Sequence, residues 1–164
     1  MSFNNQTIWI TGASSGIGEA LAIALAGQGA SLILSSRRAD ALEGVRQRCA
    51  NPDKHKVIPL DLADQADFDS VVEQALAFTG RVDVLVNNGG ISQRSAASDT
   101  TDQVYRAIME VDFFGQIALT RRLIPHWSAR QSGYIVNICS VAGKFGAPQR
   151  TGYCAAKHAL LGFM

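Results

Sequence analysis

Short runs of apolar and β-branched residues alternate with longer segments of helical periodicity along this chain. Five of the runs predict strands, at residues 7–10, 31–35, 56–60, 82–86 and 134–139. Runs that are almost continuously apolar are typical of strands buried on both faces of a parallel sheet. The pattern therefore predicts an α/β fold: a doubly wound, Rossmann-like parallel sheet with helices on both faces.

Helices are predicted between the strands, where apolar positions recur every three or four residues. The predicted helices cover residues 16–28, 39–49, 64–78, 103–130 and 151–164. Gly29 is expected to end the first helix, Asp64 to cap the third, and Pro125 to bend or interrupt the fourth. No repeat or low-complexity linker divides the chain, so residues 1–164 are expected to form a single domain.

The composition and the charge narrow the classes of function. The chain has 164 residues, 47% of them hydrophobic, which is enough for one domain with a sizeable core. Its net charge of +1, without a long run of either sign, argues against nucleic acid and anionic membranes as partners. The first residues show no basic segment followed by an apolar stretch, so no signal peptide is expected, and no apolar run approaches the roughly 18 residues of a membrane span. A cytoplasmic protein is expected.

The residues that could bind a metal are scattered through the sequence. None of them shows the short spacings typical of zinc sites or redox pairs. They are Cys49, Cys139, Cys154, His55, His126 and His158. No metal site is therefore predicted, and the cysteines fit a reducing compartment.

A glycine-rich turn, T-G-A-S-S-G-I-G at residues 11–18, follows the first predicted strand directly. Glycines let the backbone come close to a ligand, and the N-terminus of the next helix offers unpaired N–H groups to a pyrophosphate. The turn predicts a dinucleotide phosphate site with the candidate residues Gly12, Ser14, Ser15, Gly16, Ile17 and Gly18. A glycine-rich turn that binds no ligand is the alternative.

The end of the second predicted strand favours NADP(H) over NAD(H). Many dinucleotide sites place an acidic residue here to bind the ribose hydroxyls, whereas this chain has Ser36, Arg37 and Arg38. An arginine can bind the 2′-phosphate through charge-assisted hydrogen bonds, and a carboxylate would repel it. In the alternative interpretation, both arginines only contact solvent at the start of a helix.

Three further motifs follow in order along the chain. They are Asp61-Leu62 after the third predicted strand, Asn87-Asn88-Gly89-Gly90 after the fourth, and Ser140 after the fifth, followed 13 positions later by Tyr153 and then by Lys157. With the glycine-rich turn, they resemble the T-G-x-x-x-G-x-G, adenine-contacting Asp, N-N-A-G and Ser/Y-x-x-x-K motifs of the short-chain dehydrogenase/reductase family. The resemblance implies an NADP(H)-dependent oxidoreductase acting on a small alcohol or carbonyl compound. It also implies cofactor contacts from Asp61, Leu62, Asn88, Gly89, Tyr153 and Lys157.

The residue types at the last motif suit proton transfer. Tyr153 and Lys157 are four positions apart, so on a helix they project from one face. A neighbouring ammonium favours the phenolate, which lets a tyrosine act as a general acid and base. Ser140 would hydrogen-bond the same substrate oxygen, while the hydride passes to or from the nicotinamide. An isolated Y-x-x-x-K pattern is otherwise common as a helix surface pair.

The chain departs from the family pattern at Asp112, where the family usually has an asparagine that helps to hold a water near the lysine. A carboxylate at this position would stabilise the Lys157 ammonium and weaken its effect on Tyr153. Slower turnover or an altered pH optimum is therefore expected, and Asp112 is included among the predicted catalytic residues.

Family members also continue with further strands and helices beyond the Y-x-x-x-K motif. The resemblance therefore implies a dinucleotide-binding domain that is incomplete at its C-terminus, without the last strands of the fold and with an unpaired sheet edge. A shortened, non-catalytic dinucleotide-binding or interaction module is the alternative function. The family further implies a homodimer or tetramer, with which an apolar face at Phe113, Ile117 and Leu160 is compatible.

Overall fold

A parallel sheet of five strands forms the centre of the fold in the computed structural model, which describes residues 2–164. The strands are β1 (Thr7–Thr11), β2 (Ser31–Ser35), β3 (His55–Val57), β4 (Val84–Asn87) and β5 (Tyr134–Asn137). Their order across the sheet is β3-β2-β1-β4-β5, and every neighbouring pair is parallel. The predicted doubly wound α/β sheet is confirmed.

Helices connect the strands, as the periodicity predicted. They are α1 (Gly16–Gly27), α2 (Ala39–Arg48), α3 (Phe68–Thr79), α4 (Asp102–Met109), α5 (Gly115–Arg130) and α6 (Thr151–Gly162). A π-helical turn, Glu110–Phe114, joins α4 to α5 without a break. Gly29 follows the end of α1 with a φ of 91°, a value that glycine adopts readily, so the predicted end of this helix is confirmed.

Two hydrophobic layers enclose the sheet. Because neighbouring strand residues point to opposite faces, Trp9, Ile33 and Leu85 pack on one side with α3 and α5. Ile8 and Ile10 pack on the other side with α1 and α2. Burial on both faces explains why the strands are almost continuously apolar, and it fixes the positions of the strand ends on which the site is built.

Several predicted boundaries were wrong, among them the end of the fifth strand, which lies at Asn137 instead of residue 139. The third strand ends at Val57, but the chain stays beside β2, since the N–H groups of Ile58 and Leu60 still donate to the carbonyls of Leu34 and Ser36 at 3.0 Å. The fourth strand begins at Val84, since the Val82 carbonyl accepts a hydrogen bond from Trp127 Nε1 at 2.8 Å. Asp64 does not cap α3, which begins at Phe68. Its carboxylate instead accepts a hydrogen bond from the Ala66 N–H within a preceding turn.

Pro125 does not interrupt the long helix, contrary to one of the two predicted outcomes. It lies inside α5, which continues to Arg130. Pro125 and Arg121 are both exposed, so the Arg121 carbonyl that loses its helical partner faces water. The irregular part of the helix lies at the π turn, where Asp112 is buried.

The strand β5 forms one edge of the sheet, as expected from the resemblance, and its Tyr134 is 65% exposed. Leu160 is fully buried, so it cannot belong to the apolar surface that was suggested for a dimer. Within residues 2–164, no helix combines the length and the apolar character needed to cross a membrane. In the same range, no cluster of three or more His, Cys, Asp or Glu side chains could hold a metal ion. The cytoplasmic location and the dimer or tetramer stay predictions.

Candidate active site

A cleft of about 360 Å³ opens at the carboxyl ends of the strands, where β1 separates the strand order into two halves. Ligands of open α/β sheets bind at this topological switch point. The predicted residues that line the cleft are Gly12, Ser14, Ser15, Ile17, Ser36, Arg37, Arg38, Asp61, Leu62, Asn88 and Gly89. The sheet topology therefore brings together residues from four separate parts of the sequence.

The turn between β1 and α1 is packed so closely that glycine is required. Gly12 has a φ of 65°, and a Cβ added to it would lie 2.7 Å from the Cα of Gly89. A Cβ added to Gly18 would overlap the Gly12 carbonyl and the Asn88 side chain. Gly16 also has a positive φ of 60°, but a Cβ there would meet no atom within 4 Å. Gly16 and Gly18 shape the turn without lining the cleft.

Thr11 and Asn88 hold this turn against the end of β4. The Thr11 hydroxyl accepts hydrogen bonds from the N–H groups of Asn88 and Gly89, each at 3.0 Å. The Asn88 side chain donates to the carbonyls of Thr11 and Gly12 at 2.9 and 3.2 Å. Thr11 was missed as a site residue, although it is the first letter of the T-G-x-x-x-G-x-G motif.

Arginines lie at the end of the cleft beside β2. The Arg38 guanidinium donates to the hydroxyls of Ser14 and Ser15 at 3.1 and 3.4 Å, and the Ser36 hydroxyl accepts from the Arg38 N–H. Arg37 is exposed and also lines the cleft. In the described part of the chain, neither arginine forms an ion pair. Their charges are therefore available to an anion.

Asp61 and Leu62 line the cleft from the segment after β3, the strand next to β2. The Asp61 carboxylate accepts a hydrogen bond from the Ala63 N–H at 3.0 Å, which fixes its loop. Leu62 is buried, and its Cδ1 would lie 2.7 Å from a Cβ added to Gly89. Glycine in place of the motif's alanine thus leaves space for the Leu62 side chain.

The predicted catalytic residues lie towards the β5 edge of the sheet, outside the lining of the cleft. Ser140 follows β5, and its hydroxyl accepts a hydrogen bond from the Ala142 N–H at 3.1 Å. Tyr153 and Lys157 are one turn apart on α6, with Lys157 Nζ 5.6 Å from the centre of the Tyr153 ring. Lys157 Nζ also lies 3.5 Å from the Ile138 carbonyl, two residues before Ser140.

Asp112 connects the catalytic residues to the cleft. Its Oδ2 lies 3.4 Å from Lys157 Nζ, and its Oδ1 accepts from the Ile91 N–H at 2.7 Å. Ile91 and Gly90 both line the cleft, and a Cβ added to Gly90 would lie 3.0 Å from Asp112 Oδ2. Burial raises the pKa of the Asp112 carboxyl above 3.8, and the Ile91 N–H and the Lys157 ammonium oppose this rise.

The sequence analysis also missed buried polar residues around these groups. Gln116 donates to the Gly89 carbonyl, and Asn87 donates to Thr120 at 3.0 Å and to Asn137 at 2.9 Å. The signal was present in the sequence, because Gln116 and Thr120 interrupt an apolar helical face four positions apart. Their hydrogen bonds hold the end of β4 and the residues after it in place.

Known proteins match both this sequence and this geometry. The family model described as short chain dehydrogenase matches residues 6–164. The chain belongs to the short-chain dehydrogenase family. A family member of known structure, a short-chain dehydrogenase from Streptomyces avermitilis, superposes with a TM-score of 0.92 at 40% identity, covering 99% of this chain and 59% of that one.

Animal members of the short-chain dehydrogenase family are also similar. Dehydrogenase/reductase SDR family member 7 of Homo sapiens is 45% identical over 164 residues, covering 97% of this chain and 48% of that protein. A Drosophila melanogaster protein, Dehydrogenase/reductase SDR family protein 7-like, is 42% identical over 170 residues, covering 98% and 52%. The chain therefore spans about half the length of these relatives.

Proposed function

We propose that this chain provides the cofactor-binding and proton-transfer part of an oxidoreductase that transfers a hydride between NADP(H) and an alcohol or carbonyl substrate. The observation that carries this proposal is the position of Lys157. Its ammonium is buried 5.6 Å from the Tyr153 ring centre and is paired with Asp112, which touches the cleft wall at Ile91. A buried cation beside a tyrosine and a nucleotide-sized cleft suits proton transfer next to a bound cofactor.

The residues of the chain fit a nicotinamide dinucleotide. The close approach of Gly12 to Gly89 leaves the β1–α1 turn without side-chain bulk, and the Ser15 side chain does not cap α1. The first N–H groups of α1 can therefore bind a pyrophosphate. When bound, the nicotinamide supplies or accepts the hydride.

Each catalytic side chain has a separate role in the proposed reaction. Tyr153 gives a proton to the carbonyl oxygen during reduction and removes it from the alcohol during oxidation, and the Lys157 ammonium favours its phenolate. The Ser140 hydroxyl already accepts from the Ala142 N–H, so its own hydrogen is directed elsewhere. It can donate to the same substrate oxygen and stabilise the charge that develops there.

Titration with NADPH, followed by its oxidation with a panel of ketones and aldehydes, tests this proposal. Binding is expected, together with turnover that falls roughly 10²- to 10⁴-fold in Tyr153→Phe, because the general acid is lost. Tyr134→Phe is the matched control, since its side chain is exposed on the edge strand β5. If the wild-type protein binds NADPH but shows no turnover, the result would favour the non-catalytic dinucleotide-binding module instead.

The preference for NADP(H) is supported by the arginines beside β2. Arg38 lies against Ser14 and Ser15 at the phosphate turn, and neither it nor Arg37 has an acidic partner within residues 2–164. Loss of charge-assisted bonds to a 2′-phosphate should weaken NADPH binding roughly 10- to 100-fold in the double variant Arg37→Ala/Arg38→Ala.

The dissociation constant of NADH measures the specificity of this change. It should change far less in the double variant, because NADH has no 2′-phosphate. Arg106→Ala, on the exposed side of α4, is the control for the loss of a surface charge. Equal weakening of NADPH and NADH would contradict the assignment of the arginines to the 2′-phosphate.

A further inference from the structure

The first turn of α6 has no capping side chain of its own. Arg150 occupies the N-cap position and makes no side-chain hydrogen bond to the helix. The N–H groups of a first helical turn need partners from outside the helix, particularly where the turn is buried. Tyr153 is the third residue of α6, so its N–H is one of these groups.

The side chain of Gln93 supplies the missing acceptor. Its Oε1 accepts from the Tyr153 N–H at 3.2 Å, and its Nε2 donates to the Thr151 hydroxyl at 3.4 Å. Gln93 is buried and lies 60 positions before Tyr153. Its carboxamide thus takes the place of the Ser, Thr, Asp or Asn that usually caps a helix from the preceding residue.

Close packing around the first turn of α6 restricts the position of the Gln93 side chain. A Cβ added to Gly152 would lie 3.0 Å from the Tyr105 ring and 3.4 Å from Gln93 Nε2. The Tyr105 hydroxyl lies 2.8 Å from the hydroxyl of Thr151. The first turn of α6 is therefore held between α4 and the loop that carries Gln93.

The same loop reaches the cofactor cleft. Ile91, two residues before Gln93, lines the cleft and donates its N–H to Asp112. The Ser92 hydroxyl accepts from Arg150 at 2.6 Å, and the Ser95 N–H donates to the Gln149 carbonyl at 3.2 Å. The segment from Ile91 to Ser95 consequently connects the cleft wall with the start of the catalytic helix.

We infer that Gln93 is a positioning residue, which caps α6 from the loop after β4 and so fixes Tyr153 relative to the cofactor cleft. The role in turnover rests on the proposed oxidoreductase function. Without the cap the first turn of α6 frays and the Tyr153 hydroxyl is no longer held in place, whereas Lys157, one turn later, keeps its contacts. Small displacements of a proton donor reduce turnover strongly and leave cofactor binding almost unchanged.

Substitution of Gln93 in the full chain tests this inference with two readouts. Gln93→Met keeps the length of the side chain and removes both hydrogen bonds. Amide hydrogen exchange at Tyr153 should become roughly five- to tenfold faster and kcat should fall by a similar factor, with the KM for NADPH unchanged. Gln93→Glu keeps an acceptor for the Tyr153 N–H and should restore most of both values. Gln103→Met, at an exposed position of α4, is the matched control and should change neither.

The possible outcomes distinguish a failure of the capping role of Gln93 from a failure of the proposed oxidoreductase function. Unchanged exchange at Tyr153 in Gln93→Met would overturn the inference, as would faster exchange with an unchanged kcat. If the wild type binds NADPH without any turnover, faster exchange in Gln93→Met still supports the cap, while the proposed oxidoreductase function fails. Thr151→Val, which removes only the hydroxyl that holds the Gln93 amide, should give a smaller change in the same direction if Gln93→Met folds poorly.

Discussion

Close backbone packing shapes the phosphate end of the cofactor cleft, whereas buried side chains hold the predicted catalytic residues, here called the catalytic end, beside the cleft. The phosphate turn depends on one short segment, in which Gly12 and Gly18 leave no space for a Cβ. The catalytic end depends on Asp112, Tyr153 and Lys157, which come from two separate helical segments. The difference lies in what holds each end in place: close backbone packing at one, and a buried ion pair at the other.

The two constructions should tolerate different substitutions. Where backbone atoms lie in contact, an added methyl group does not fit. A substitution that changes the charge of a side chain and keeps its size can be accepted in such a region. At a buried ion pair, size matters less than charge, since removal of one partner leaves the other unpaired in the protein interior. Substitutions that separate volume from charge therefore test the comparison.

The largest effect is expected from Lys157→Met. It leaves the fully buried Asp112 without its partner, which should cost roughly 3–5 kcal/mol of the free energy of unfolding, and it should abolish turnover. Denaturant unfolding measures the change. The double variant Lys157→Met/Asp112→Asn should recover most of the stability but none of the activity. A double variant no more stable than Lys157→Met would show that the two side chains do not stabilise each other. Lys54→Met is the exposed control.

At the phosphate end, Gly12→Ala should cost about 2 kcal/mol of stability and weaken NADPH binding. The added Cβ would lie 2.7 Å from the Gly89 Cα, and the φ of 65° is strained for alanine. Gly44→Ala is the matched control, because a Cβ at Gly44 in α2 meets no atom within 4 Å. It should raise stability by about 0.5–1 kcal/mol. Equal melting temperatures for the two variants would contradict the close packing described for this turn.

Asp112→Asn should shift the pH dependence of turnover, and it should also lower stability, because it leaves the buried Lys157 ammonium without its partner. The amide still accepts from the Ile91 N–H, but it no longer balances the charge of Lys157. The uncompensated ammonium leaves a positive charge beside Tyr153, so alcohol oxidation should persist to a lower pH. The pH profile of kcat measures this shift. Glu73→Gln, at an exposed position of α3, is the control. An unchanged profile would show that the carboxylate does not affect the proton transfer.

The smallest effect is expected far from both ends of the cleft, at His55. Burial lowers its pKa below 6.5, although hydrogen bonds to backbone carbonyls oppose the shift. Below about pH 6.5 the unfolded chain takes up a proton that the folded chain binds less well, so stability falls as the pH falls. The loss is at most about 1.4 kcal/mol for each unit by which the pKa is lowered.

His55→Asn should flatten this acid loss of stability without changing NADPH binding. Its side-chain oxygen can still accept from the Leu32 N–H, as His55 Nδ1 does at 3.2 Å. Unfolding free energies at pH 7 and pH 5 measure the difference. His158→Asn, at an exposed position, is the control. Burial also lowers the pKa of His126. Because His126 is present in every variant, its contribution cancels when a variant is compared with the wild type.

The contrast between the two ends also explains what the sequence could predict. The phosphate turn is contiguous, and Gly12 and Gly18 are diagnostic because no other residue fits there. The ends of β1 and β2 were predicted to within a residue, since both strands are buried on both faces.

Contacts between distant segments could not be predicted in this way. The position of Asp112 suggested an effect on Lys157, but the bond from the Ile91 N–H depends on how the π turn meets the loop after β4. Gln93 gave no signal, because a polar residue in a polar loop is ordinary until the fold places it against α6. The polar residues Gln116 and Thr120 within an apolar helical face were the sign of a buried network that the pattern contained.

The π turn at Glu110–Phe114 has a consequence for any change in the length of this helix. A π turn holds one residue more than an α turn, and each α-helical residue rotates the chain by about 100°. Because the π turn absorbs its extra residue locally, deletion of a single residue here would restore a regular helix and leave Ile108 and Leu119 in nearly the same relative phase. The helix can therefore lose this one residue without turning its two halves against each other, and the change would be confined to the turn that carries the buried Asp112.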